Sequence, residues 1–177
     1  SDENEMIREM VRDFAESVLA PTAEARDHEQ RPPVEEWQAF LELGLQGVTI
    51  PDAYGGAKMN DIAEAIIVEE LARVDPSFAV MFCVHVGLCA MTINLHGTEE
   101  QKQAYLPRLA EGEVGAYSLS EAGAGTDAAA MGCRAKLSDD GTQVIELRLS
   151  NEMFERELQS SRIVLSLRLP RCPTTYP

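Results

Sequence analysis

A chain of 177 residues is long enough to form one domain with a sizeable core. Its 30 acidic against 15 basic side chains leave a net charge of −15, which argues against nucleic acid and anionic membrane as partners, since both repel a uniformly negative surface. No apolar run approaches the ~18 residues that a bilayer crossing needs, and Ser1-Asp2-Glu3 is acidic with no signal or transit peptide behind it, although a first residue other than Met leaves room for a removed leader.

Residues 3–19 read as an amphipathic helix with Met6, Met10, Val11, Phe14 and Val18 on one face, Asp2 as its cap and Pro21 as its limit. A second helix, 34–43, follows Pro32-Pro33, turns Trp37, Phe40 and Leu41 inward and stops at Gly44. Gly47 to Gly56 is loop by its Pro and Gly content. The third helix runs from about Asp61 to Val74, is capped by Asn60 or Asp61, and carries Ile62, Ala65, Ile66 and Leu71 on its apolar face. Ser77 to Leu95 is apolar nearly all round, as a centrally buried helix is. Thr98 and Gln101 then have capping-box spacing and open a fifth helix.

Cys83, Cys89, Cys133 and Cys172 form no CxxC pair and read as buried small hydrophobes in a reducing compartment. His28, His85 and His96 lack metal-ligand spacing, so no metal site is read and each is assigned a bland role.

The stretch from Ala116 to Asp127, AYSLSEAGAGTD, is the most informative in the chain. Tyr117-Ser118-Leu119-Ser120 alternates as a half-buried strand does. Gly123-Ala124-Gly125-Thr126 is nearly all small, which lets backbone approach a bulky ligand and lets successive N–H groups form an anion-binding concavity. By composition alone such a loop is more often just a turn, and neither GxGxxG nor GxxxxGK[ST] is present. Met131 to Leu137 alternates as a strand, Asp139-Asp140-Gly141 is a hairpin turn signal, and Gln143 to Ile145 begins the return strand.

Tyr117, Ser120, Glu121, Ala122, Ala124, Gly125, Thr126 and Asp127 resemble the flavin signature of the acyl-CoA dehydrogenases, usually (Y/F)-x-x-T-E-P-x-A-G-S-D. Ser120 and Thr126 exchange hydroxyl for hydroxyl, and Ala122 replaces a proline. Two further runs are similar to the family: GTEEQKQAYLPRLAEGE over 97–113, and the PxxYGG order at Pro51 to Gly56. The resemblance covers residues 1 to about 145. It implies a mainly α fold, with an N-terminal helical bundle over 1–114 and the start of a flavin-binding β domain over 115–145.

Residues 146–177 are an unassigned, atypical tail. They contain no Gly, Ala, Lys or Asp, whereas the preceding 145 residues hold 21 Ala and 12 Gly. The family's (W/F)-I-T-N segment does not appear there, and the break reads as a shifted frame, an altered splice or a fusion, or else as a divergent strand and surface helix.

What the resemblance implies is the N-terminal part of a flavin-dependent acyl-CoA dehydrogenase, acting in fatty acid or branched-chain amino acid catabolism. FAD would be contacted by Tyr117, Leu119, Ser120, Gly125 and Thr126. The acyl-CoA substrate would meet Thr126 through its coenzyme A portion and Met81, Val84, His85 and Leu88 through its tail. No catalytic residue is assigned: the family's base is a glutamate in a C-terminal helical domain, and Glu121 is read as structural. The intact parent would be a homo-tetramer passing electrons to an electron-transfer flavoprotein, in the bacterial cytoplasm or the mitochondrial matrix. The alternatives are a non-catalytic helical module that binds a partner, or a fragment of an acyl-CoA oxidase.

Overall fold

Ser1 Oγ accepts the N–H of Asn4 at 3.4 Å and opens α1 (Asp2–Phe14), so the cap stands one residue before the expected Asp2. The inward face is Ile7, Val11 and Phe14, while Met6 is 66 % exposed and Met10 lies at the surface. Arg8 and Arg12 set this rotation, since both reach Glu70 on a distant helix. The structure, a computed structural model, describes residues 1–120, 124–130, 132, 134–137 and 144–148.

Pro21 does not end the first helix. The backbone widens into a π segment, Ala15–Leu19, where the Ala20 N–H reaches back five residues to the Ala15 carbonyl. Pro21 then sits in the first turn of α2 (Ala20–Glu29), a position where a missing N–H is tolerated. Gln30, at φ +52°, closes α2 in the left-handed conformation. α3 (Val34–Leu41) follows the two prolines and buries Trp37 and Phe40, with Leu41 half-buried and Gly44 at φ +70° beyond its end.

Asn60 Oδ1 accepts the Ala63 N–H at 3.0 Å and caps α4 (Asp61–Ala72). Its buried residues are Ala63, Ile66, Ile67, Glu70 and Leu71, and the expected Ile62 and Ala65 face outward. Glu70 explains the rotation: its carboxylate must meet three arginines across the packed face. Arg8 and Arg12 come from α1 at 2.7 and 2.9 Å, and Arg73 lies one turn on at 2.7 Å.

α5 (Pro76–Cys83), a second π segment (Val84–Ala90) and α6 (Met91–His96) run on as 21 continuous helical residues, begun by Asp75 Oδ1 on the Phe78 N–H. By length and composition alone this helix could cross a membrane, contrary to the expectation that no apolar run is long enough. One side of it faces the core, where Phe78, Ala79, Phe82, His85, Val86 and Ala90 are buried. The expectation of all-round burial fails, because Val80, Leu88 and Leu95 are exposed on the other side. α7 (Glu99–Ala110) has the expected capping box, with the Gln101 N–H on Thr98 Oγ1 and the Thr98 N–H on Gln101 Oε1.

An aromatic cluster of Phe14, Trp37, Phe40, Phe78 and Phe82 ties α1, α3 and α5 together, with ring centroids 5.3 to 6.1 Å apart. Beneath it the Arg26 guanidinium is buried between Glu36 at 3.0 Å and Asp75 at 2.7 Å, and Thr22 donates its hydroxyl to Glu36. A smaller cluster of Ile50, Ala90, Leu106, Leu109 and Ala110 seats α7.

The helices belong to one unit, Ser1–Tyr117, and the rest of the chain, Ser118–Pro177, forms a second. In the second unit β1 (Arg134–Leu137) pairs antiparallel with β2 (Val144–Arg148), with a register shift between Lys136 and Leu137 that leaves Ile145 as the extra residue. Of the strand expected at 131–137, residues 134–137 are strand, while residues 131 and 133 and the turn residues 139–141 lie outside the described residues; the return strand passes residue 146 without a break.

Candidate functional site

The segment that carries the flavin-like signature leaves the helical unit through a tightly packed exit from α7. Gly112 has φ +110°, and a Cβ there would stand 2.5 Å from a Leu41 methyl, so only glycine fits. Its carbonyl accepts the indole N–H of Trp37 at 2.9 Å, and Arg108 pairs with Glu113 at 2.8 Å.

Gly115 comes next and meets the long helix. Its N–H donates to His85 Nδ1 at 2.9 Å, and His85 Nε2 stands 3.0 Å from the Gln46 carbonyl. An Nδ1 that accepts must be unprotonated, so the imidazole is neutral with its proton on Nε2, directed at Gln46. Burial holds the His85 pKa below its ordinary value, against the pull of the Gln46 and Leu109 carbonyls. Gln46 is itself anchored, donating Nε2–H to the Ala110 carbonyl at 2.7 Å. One turn along the helix, burial raises the Cys89 thiol pKa, against the smaller pull of the Ala116 N–H. A Cβ on residue 115 would lie 2.8 Å from both Cβ and Sγ of Cys89.

Beyond this point the chain is open. Tyr117 and Leu119 are each 42 % exposed, and Ser118 and Ser120 are also at the surface. The expected strand over 117–120 does not form among the described residues, because a strand exists only through the neighbour it pairs with. Glu121, Ala122 and Gly123 lie outside the described residues. Ala124 is buried, whereas Gly125 and Thr126 are exposed, and a Cβ added at Gly125 would meet nothing within 4 Å. Asp127 braces the loop from below: its Oδ1 accepts the Ala129 N–H at 3.2 Å as the 3-10 turn Ala128–Ala130 begins.

The residues expected to meet an acyl tail divide. Met81 and Val84 are half-buried and Leu88 is 44 % exposed, but His85 is fully buried with both nitrogens engaged within the chain. Met81 also lines a cleft of about 590 Å³ with Pro33, Val34, Trp37, Leu41 and Val114. These residues and Tyr117 belong to the helical unit, and Leu119, Ser120, Gly125 and Thr126 to the second unit. Among the described residues no group of three or more His, Cys, Asp or Glu is arranged to hold a metal. Sequence reasoning missed Gln46 and the pairing of His85 with Cys89. The signal was their spacing of four, which places two side chains on one helical face.

Residues 1–113 match the family described as acyl-CoA dehydrogenase, N-terminal domain. The chain is 44 % identical over 139 residues to the short-chain-specific acyl-CoA dehydrogenase of Clostridium acetobutylicum, covering 78 % of this chain and 37 % of that one. Among solved structures it is similar to acyl-CoA dehydrogenase of Bacillus anthracis in complex with FAD, with a TM-score of 0.74 and 37 % identity, over 81 % of this chain and 25 % of that one. A chain in the structure of the electron-transferring flavoprotein of Acidaminococcus fermentans matches with a TM-score of 0.75 and 40 % identity, over 79 % of this chain and 37 % of that one. The matched part thus spans little more than a third of the length of the Clostridium acetobutylicum enzyme. With the matched residues covering the helical order and the capping box of α7, the chain belongs to the acyl-CoA dehydrogenase family, of which it carries the N-terminal part.

Proposed function

We propose that this chain is the N-terminal part of a flavin-dependent enzyme that dehydrogenates an acyl-CoA thioester between its α and β carbons. The observation that carries the reading is the open segment after Gly115. Tyr117, Leu119, Ser120 and Thr126 are at the surface, and Gly125 has free space where a side chain would stand. Such a segment fits FAD. The Tyr117, Leu119 and Ser120 positions suit the flat ring, with the Ser120 hydroxyl for its polar edge, while Gly125 and Thr126 suit the pyrophosphate. The chemistry that bound FAD supplies is acceptance of a hydride from the β carbon.

Thr126 would also meet the coenzyme A portion, and Met81, Val84 and Leu88 would offer apolar surface to an acyl tail. His85 supports this helix from inside. Electron-transfer flavoprotein is the proposed electron acceptor of the intact protein, a homo-tetramer of the bacterial cytoplasm or mitochondrial matrix. The match to a chain in an electron-transferring flavoprotein structure supports that partner.

The isolated chain is expected not to turn over substrate. In the family resemblance the base comes from a C-terminal helical part, and a general base contributes typically ~10²–10⁴-fold. Positioning of the reactants contributes more. Purified chain mixed with FAD, acyl-CoAs of several lengths and an electron-accepting dye should give no dye reduction above a Ser120→Ala, Thr126→Ala control. Steady reduction above that control would show that these 177 residues are an enzyme by themselves.

A further inference from the structure

His85 and Cys89 do something that neither an acyl tail nor a metal explains. They stand four apart on the long helix, on one face, and meet the same backbone: His85 Nδ1 accepts the Gly115 N–H, and Cys89 packs against Gly115. Gly115 is among the last residues of the helical unit before Tyr117. The imidazole is braced from behind by the Gln46 carbonyl, and Gln46 by the Ala110 carbonyl, so the acceptor is fixed in direction. Gly115 is packed so closely on Cys89 that any Cβ would collide with it.

We propose that His85 and Cys89 are positioning residues: a two-point clamp on the backbone that fixes where the chain leaves the helical unit and so sets the place of Tyr117. A bond to the N–H of Gly115 and a packing contact beside its Cα define a direction as well as a point, which the bond alone does not. The polar edge of the clamp faces backbone alone. The groups packed against His85 from each side are Trp37, the Gln46 and Leu109 carbonyls and Gly115, and none of them is charged. What the clamp serves rests on the flavin reading above; the clamp itself does not.

Amide hydrogen exchange of the whole 177-residue chain, read residue by residue by NMR, tests it. Asn carries its oxygen where His carries Nδ1, and Gln carries its nitrogen where His carries Nε2. His85→Asn therefore keeps the acceptor for Gly115, and His85→Gln keeps only the donor to Gln46. Gly115 should be protected in the wild type, stay protected in His85→Asn and exchange about tenfold faster or more in His85→Gln. Cys89→Ala removes the Sγ packed beside Gly115 at a half-buried site and should speed Gly115 exchange several-fold, which tests the clamp independently of how stable the His85 variants are. Equal exchange at Gly115 in the Asn and Gln variants, unchanged exchange in Cys89→Ala, or fast exchange of the Gly115 amide in the wild type, would overturn the clamp.

Titration with FAD separates the two ideas. A wild type that shows the exchange pattern but binds no FAD supports the clamp and counts against the flavin reading for this chain. A His85→Gln chain that has lost Gly115 protection yet binds FAD as tightly as wild type would overturn the positioning role.

Discussion

Glu70 is the clearest case of a single residue holding distant parts together. Its side chain is 1 % exposed and meets Arg8, Arg12 and Arg73. The hydrogen bonds from Arg12 and then Arg8 and Arg73, set against burial, bring its carboxyl down from 4.5 to about 2. A lowered carboxylate pKa means stability that is complete above pH 4.5 and lost as the pH falls towards 2. The shift corresponds to about 3 kcal/mol. Glu70→Gln should therefore lower the unfolding free energy by about that amount at pH 7, measured in urea, and flatten its fall below pH 4.5. Unchanged acid sensitivity in the variant would remove Glu70 from this role. The pairs to α1 were not legible in the sequence, because Arg8 and Arg12 lie 62 and 58 residues away along the chain. The caps at Asn60 and Thr98 were legible, since their partners lie three residues on. Glu64 shows the opposite sign: burial first, then Asp61, raises its pKa, so its ionisation disfavours the fold as the pH rises.

Among the elements, the helix from Pro76 to His96 shows what composition conceals. An all-apolar run has no hydrophobic period from which a face can be read, so the sequence indicates burial without direction. The structure supplies the direction. Phe82 is fully buried against Phe40 at 5.5 Å, while Leu88, on the opposite side, is 44 % exposed. Phe82→Ala should cost about 3–5 kcal/mol. Leu88→Ala should cost less than about 1 kcal/mol, as surface truncations do. Thermal unfolding of the two variants side by side checks the assignment, and equal losses would contradict it. The misplaced faces of α1 and α4 have a related origin, since each pattern allowed two neighbouring stripes and the ion pairs to Glu70 selected one. The π segments at Ala15–Leu19 and Val84–Ala90 left no readable sign either, because no residue type is specific to a wide turn.

At the scale of the molecule, the order of helices and the pairing of β1 with β2 followed from local signals: periodicity, caps and strand alternation. The flavin role proposed for the 117–127 segment rests on its whole sequence pattern, since small residues alone more often make an ordinary turn. Charge adds a last point. Residues 1–117 hold 22 acidic and eight basic side chains. Seven of those eight stand in ion pairs, and Arg26 is enclosed altogether, so cations are largely held against particular partners. Fourteen carboxylates remain with no cation to match them. The pairs around Glu70 and Arg26 have a buried member and are little screened, whereas mutual repulsion among surface carboxylates is screened fully. Added sodium chloride should therefore raise the melting temperature from its low-ionic-strength value, and a fall would mean that the exposed pairs outweigh the repulsion. The solvent's mobile cations thus complete the charge balance of this fold, and its stability is partly a property of the buffer around it.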